Sequence, residues 1–192
     1  MNIERTIGES LAVKQLMLSD KELHQLIQQI AKVCVAAFSN KGKVLLCGNG
    51  GSAADAQHIA AELSGRFYYD RDPLYAEALH VNTSFVTAVA NDYSYDEIYA
   101  RMVKAAGKSG DVLIGLSTSG NSANVVKAFE QAKKLGMITV ALTGKSGGLL
   151  NSIADFTVKI PSENTARIQE AHILVGHILC EIIEQTIFPK HD

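Results

Sequence analysis

Cysteine is scarce in this sequence: Cys34, Cys47 and Cys180 stand far apart and are odd in number. No two of them have metal-motif spacing, so buried packing in a reducing compartment is their expected role. An excess of one charge is also missing, since 18 basic and 20 acidic residues give a net charge of −2 with no long basic run. A phosphate-neutralising patch for nucleic acid is therefore disfavoured. No apolar run reaches membrane-spanning length without a charged or strongly polar residue. The first residues, Met1 to Arg5, are amphipathic and lack an apolar signal core. The expectation is a soluble, cytoplasmic protein. The three prolines spare every expected element: Pro73 in a charged loop, Pro161 past the last strand, Pro189 after the last helix. Repeats, low-complexity tracts and linkers are absent too. Residues 1–192 read as one domain, with 1–40 a helical extension.

What is present centres on Lys43 to Arg66. Val44-Leu45-Leu46-Cys47 is a short apolar run, followed by Gly48-Asn49-Gly50-Gly51-Ser52 and then an alanine-rich stretch to Glu62. This reads as a buried strand, a tight turn and a helix. Backbone N–H groups and the helix dipole would then point at one spot, which makes an anion site. His58 and Glu62, four apart, share a helix face about 40° wide. Gly48-x-Gly50-x-x-Ala53 fits the loose dinucleotide fingerprint, yet the next apolar run ends in His80 and Asn82 without the acidic residue a ribose needs. No Gly-Lys-Ser/Thr follows the glycines, which argues against a nucleotide P-loop. The plain alternative is a structural turn that binds nothing.

Around this stretch, residues 2–40 read as two amphipathic helices, with Ser19 and Glu22 expected as a capping box between them. Apolar runs at Val44–Cys47, Ala76–Val81, Val112–Leu116, Ile138–Leu142 and Phe156–Ile160 alternate with helical stretches at Ser52–Ser64, Ser84–Ala90, Asp96–Ala106 and Ala123–Leu135. Such alternation argues for a parallel sheet with helices on both faces. Directly after the third strand stands Ser117-Thr118-Ser119-Gly120-Asn121-Ser122. Hydroxyls and N–H groups at a helix start can hold a phosphate without lysine, whereas ordinary N-capping needs only one of them. In an open parallel sheet both loops should face one crevice. The last helix, Asn164 to Ile187, carries Gln169 and His177 about 80° apart. His172 lies on another face and is expected to serve packing or surface.

Taken together, several motifs resemble the sugar isomerase (SIS) domain family, and within it the phosphoheptose isomerases. They are Cys47-Gly48-Asn49-Gly50-Gly51-Ser52, His58-x-x-x-Glu62-Leu63-x-Gly65-Arg66, Asn91-Asp92-Tyr93, the Ser117–Ser122 run, Leu142-Thr143-Gly144, and Ala166-Arg167-Ile168-Gln169-Glu170-x-His172 with His177. The resemblance covers essentially the whole chain. It implies an α/β fold: a five-stranded parallel sheet in a flavodoxin-like three-layer sandwich, with N-terminal helices and a long C-terminal helix. A homotetramer with active sites between subunits is implied too. The implied reaction converts sedoheptulose 7-phosphate to D-glycero-D-manno-heptose 7-phosphate through an enediol, toward lipopolysaccharide heptose. Phosphate contacts map onto Ser117, Thr118, Ser119 and Ser122, and other substrate contacts onto Asn49, Gly50, Gly51, Glu62, Asn91, Asp92 and Gln169. Zinc ligands map onto His58, Glu62, Gln169 and His177. Ala166 stands where some members carry an aspartate, so no role of that carboxylate transfers.

For the chemistry, Glu62 is the natural base and His177 the natural acid. A rival is a non-catalytic SIS protein that binds a partner such as the bacterial replication initiator. That protein lacks the carboxylate and histidine matching Glu62 and His177, which favours the isomerase. A sugar-phosphate-sensing regulator is a second rival, but no DNA-binding domain is evident in this sequence.

Overall fold

The computed structural model describes residues 2–190; Met1, His191 and Asp192, at the ends of the expected domain, lie outside the described residues. Five strands, β1 (Val44–Gly48), β2 (Ala76–Ala78), β3 (Val112–Ser117), β4 (Ile138–Thr143) and β5 (Phe156–Lys159), form one sheet in the order β2-β1-β3-β4-β5. Every neighbouring pair is parallel. β1 and β3 are buried along their whole length, as a strand covered on both faces must be, and this is why they read as unbroken apolar runs.

Alternate residues of β1 feed different cores. Val44 and Leu46 face a layer built by α1 (Ile3–Ser19), α2 (Lys21–Ser39), α3 (Gly51–Ser64) and α8 (Thr165–Ile187). Leu45 and Cys47 face α4 (Thr83–Asp92), α5 (Ile98–Ala106), α6 (Ala123–Lys134) and α7 (Leu150–Ile153). The result is the three-layer sandwich expected. All three cysteines are buried and free, and burial pushes the Cys34, Cys47 and Cys180 thiols up to about 12, so they act as small apolar groups. Among the described residues no helix is long and apolar enough to cross a membrane.

Four local expectations need correction. The cap between the first two helices is Asp20, whose carboxylate accepts the Leu23 N–H at 2.9 Å; Ser19 instead turns back to close α1 on the carbonyls of Leu16 and Gln15. Extended backbone at Asp20 aims its side chain at the new helix, which the helical Ser19 cannot do. β2 stops at Ala78, not Val81, because the chain turns there and Asn82 caps α4 through the Phe85 N–H. The stretch from Asp96 begins with a 3₁₀ turn at Tyr95–Glu97 before α5. The short α7 was not expected.

Two consequences of this topology position the site. The chain runs from β1 to one side and reaches β3 on the other, so a crevice opens at the C-terminal ends of β1 and β3. On the opposite layer, α3 and α8 come close because residue 176 is glycine. A Cβ there would stand 2.4 Å from the Ile59 Cδ1 atom, far inside contact distance.

Candidate functional site

The loop after β1 turns through Gly50, whose φ of 55° is open to glycine at little cost. No side chain caps α3 at Gly50; the Ser52 and Ala53 N–H groups close on the Asn49 and Gly50 carbonyls at 3.0 Å each, and the Gly51 N–H is left for a ligand. Asn49 is held across the crevice: its amide exchanges hydrogen bonds of 2.9 and 2.8 Å with Asn124 of α6, and the Tyr95 hydroxyl donates to its oxygen at 3.2 Å. The Tyr99 hydroxyl fixes the carbonyl of Gly48. Asn49, Gly50 and Gly51 are thus brought beside the start of α6.

The loop after β3 shows that its hydroxyls are not ordinary caps. Ser122 occupies the N-cap position of α6, yet its side chain makes no capping bond; it pairs with Ser117 Oγ at 2.9 Å. Ser119 Oγ accepts the Asn121 N–H at 3.1 Å, and Asn121 in turn accepts the Leu149 N–H at 2.9 Å ahead of α7. Thr118 accepts the Gly144 N–H from the end of β4 at 3.0 Å. Thr118 and Ser119 line a cavity of about 350 Å³, together with Gly144, Lys145, Ser146 and Thr165. Lys145 is the cation of that cavity. Sequence reading passed it over, although its place directly after Leu142-Thr143-Gly144 was the available signal.

The titratable groups gather between α3 and α8. His58 Nε2 lies 3.2 Å from Glu62 Oε1 and 3.1 Å from His177 Nε2, and the two imidazoles are tilted by 53° with centroids 5.1 Å apart. His58, Glu62 and His177 form a possible metal-binding cluster. Two ring nitrogens and a carboxylate oxygen meet here, and one His58 Nε2–H cannot serve both neighbours fully. Tetrahedral zinc with bonds of about 2.0–2.2 Å sets nitrogen and oxygen donors about 3.3–3.6 Å apart. The two spacings at His58 are close to that edge and all three ligand atoms lie within 4.8 Å of one another, so the donor set fits such an ion. One turn before His58, Asp55 is half-buried, and its Oδ2 has no hydrogen-bond partner among the described residues. Burial raises the Asp55 carboxyl above its ordinary range, opposed by the nearby His58. The sequence reading passed over Asp55 as well, though its i, i+3, i+7 spacing with His58 and Glu62 puts it on their face.

The other expected residues lie apart from this cluster. The Gln169 amide rests against Gly51, where an added Cβ would be 2.7 Å away, about two turns along α3 from His58. Asn91 and Asp92 sit exposed at the end of α4 and bond to each other at 2.9 Å. His172 is fully buried and bonds the Thr143 carbonyl at 3.2 Å, as a packing residue.

With this geometry in hand, comparison with known proteins is specific. A family model described as "SIS domain" matches residues 12–144. The chain is similar to the phosphoheptose isomerase of Aneurinibacillus thermoaerophilus, at 49% identity over 97% of this chain and 94% of that protein. Among solved structures it is similar to a phosphoheptose isomerase from Neisseria gonorrhoeae, with 43% identity, a TM-score of 0.89 and coverage of 95% and 97%. One from Francisella tularensis gives 41% identity, a TM-score of 0.91 and coverage of 95% and 96%.

Proposed function

The chain belongs to the SIS domain family and, within it, to the phosphoheptose isomerases, and from that premise we propose that it interconverts D-sedoheptulose 7-phosphate and D-glycero-D-manno-heptose 7-phosphate at the crevice just described. It is an aldose–ketose isomerase. The observation that carries the chemistry is the approach of Glu62 and His177 to one nitrogen, His58 Nε2, at 3.2 and 3.1 Å.

Moving a carbonyl between neighbouring carbons requires a base over the carbon acid and an acid at the oxygen. Glu62 takes the proton from the carbon next to the ketose carbonyl and returns it to the other carbon of the enediol. His177 supplies a proton to the carbonyl oxygen and collects one from the adjacent hydroxyl. Each role is typically worth about 10²–10⁴ in rate, or roughly 3–5 kcal/mol of barrier. The phosphate rests on Ser117, Thr118, Ser119 and Ser122, where free N–H groups at the start of α6 complement its charge. Asn49, Gly50, Gly51, Asn91, Asp92 and Gln169 hold the sugar. Anchoring the phosphate away from the reacting carbons lets its binding energy orient them.

His58, Glu62 and His177 would hold one zinc ion per subunit; the Gln169 amide, which the family resemblance adds as a fourth donor, rests against Gly51 and would have to move to reach it. When bound, zinc would supply Lewis-acid polarisation of the substrate oxygens and offset developing enediolate charge. Glu62 can serve there with one oxygen while the other faces the carbon acid. The enzyme works in the cytoplasm as a homotetramer with active sites between subunits; the separation of Asn91, Asp92 and Gln169 from the His/Glu cluster within one chain supports that assembly.

The test is an assay of the purified protein with sedoheptulose 7-phosphate after chelation and after zinc addition. Aldose heptose phosphate should form, and more of it with zinc. No product under either condition would leave the partner-binding reading in its place.

A further inference from the structure

Between the end of α3 and the end of α8 lies a buried ion pair that the proposed chemistry does not use. Arg71 Nε stands 3.1 Å from Glu184 Oε1, and the two side chains are only 2% and 1% exposed. Burying two charges is costly, and an apolar pair of similar volume often serves stability as well or better. This pair therefore needs another reason to be there. Its hydrogen bonds supply one.

The guanidinium takes carbonyls at and just past the end of α3. Nη2 donates to the Glu62 carbonyl at 2.8 Å, and Nη1 donates to Leu63 at 2.8 Å and Gly65 at 3.0 Å. Opposite it, the Glu184 carboxylate accepts the Phe67 N–H at 2.9 Å and the Tyr68 N–H at 2.8 Å. Phe67, pinned in this way, lays its ring 5.7 Å from the His177 ring at an interplanar angle of 31°. Glu184 follows His177 by seven residues and so lies on nearly the same face of α8. One end of the pair thus fixes the backbone that carries Glu62. The other fixes the aromatic wall against His177.

We infer that Arg71 and Glu184 are positioning residues for the reaction, a buried latch that sets Glu62 and His177 against each other across α3 and α8. The inference rests on the reading of Glu62 and His177 as base and acid. An apolar pair would fill the same space but leave the Glu62 carbonyl and two N–H groups without partners. A displacement near 1 Å at reacting groups can cost about 10²-fold in rate.

The experiment compares wild type with Arg71→Lys, Glu184→Gln, Arg71→Met/Glu184→Leu and Phe67→Leu, each measured for kcat, KM, unfolding temperature and release of zinc to a chelator. In the latch variants kcat should fall by roughly tenfold to a hundredfold, while KM stays within about twofold because the phosphate loop after β3 is untouched. Arg71→Lys, which keeps charge but loses the fork, should rescue little. Phe67→Leu leaves the latch intact and should lower kcat without moving the unfolding temperature. Zinc should leave the latch variants faster than wild type. A merely structural pair would lower the unfolding temperature while the folded variants kept wild-type kcat and zinc release, and that result overturns the inference. If Arg71→Met/Glu184→Leu does not fold, Glu184→Gln and Phe67→Leu decide on the same criteria. If wild type itself does not isomerise the substrate, the functional reading fails, and zinc release still separates a latch from a filler.

Discussion

His172 shows how a single residue ties the catalytic layer to pH. Its Nε2 faces the Thr143 carbonyl, which can only accept, so that nitrogen carries the proton of a neutral ring. Burial pushes its pKa down to about 4, against an ordinary 6.5. The unfolded chain then binds a proton that the folded chain refuses. Stability from this group is fully present above about pH 6.5 and is lost as the pH falls toward about 4, by roughly 3 kcal/mol in total. Denaturant unfolding at pH 7 and pH 4 should show that loss, and His172→Gln should flatten it. An equal pH dependence in the variant would assign the loss elsewhere. At Glu62 the expected effect is on rate instead. Glu62→Gln keeps shape and an oxygen donor but removes the base, so turnover should drop at least about 10²-fold with substrate still bound. His177→Asn should act likewise, and the double variant should be little worse than the worse single. Zinc must be assayed in each, since metal loss would mimic the result. Near-normal turnover in fully loaded Glu62→Gln would remove Glu62 as base.

At the scale of elements, the start of α6 separates phosphate binding from capping. Neither Ser119 nor Ser122 bonds a free N–H of the first helical turn; Ser122 pairs with Ser117, and Ser119 holds the turn at Asn121. Replacing both by alanine should therefore raise KM for the sugar phosphate by about tenfold or more, the loss of two hydrogen bonds to a charged group. The unfolding temperature should hardly change. A stability loss with unchanged KM would make them structural. The sequence exposed these elements well because local period and turn chemistry write strands, glycine loops and helices into neighbouring residues. His58 and Glu62 were legible for the same reason, being one helical turn apart. What it hid was of two kinds. Choices within one or two residues, such as Asp20 over Ser19 as cap, depend on backbone angles. Pairs far apart in the chain, such as Arg71 with Glu184 or Lys43 with Asp111 at 2.7 Å, leave no local pattern to read.

The whole molecule leaves apolar surface that the described chain does not cover. On α1, Val13 and Met17 turn inward, while Ile3, Ile7, Leu11 and Leu18 remain 56–72% exposed along a neighbouring stripe. Their spacing puts them within about 80° of one another on the helix. Arg167 anchors α1 to α8 by donating to the Thr6 carbonyl at 2.8 Å, so the stripe is presented rather than left loose. Beside it, Met17, Leu18, Leu23, Ile27, Leu174 and Ile178 line a mainly apolar groove of about 300 Å³. A continuous apolar face of this kind suits an isologous contact between copies. The proposed tetramer is expected to cover these faces. Light scattering at micromolar concentration should give about four times the 20.6 kDa of one chain. Ile7→Glu/Leu11→Glu, two changes on exposed positions that leave the fold of the subunit alone, should lower that mass and the isomerase rate together. A wild-type mass near one chain would rule out the tetramer. A dissociated variant with full activity would show that each subunit holds a complete site.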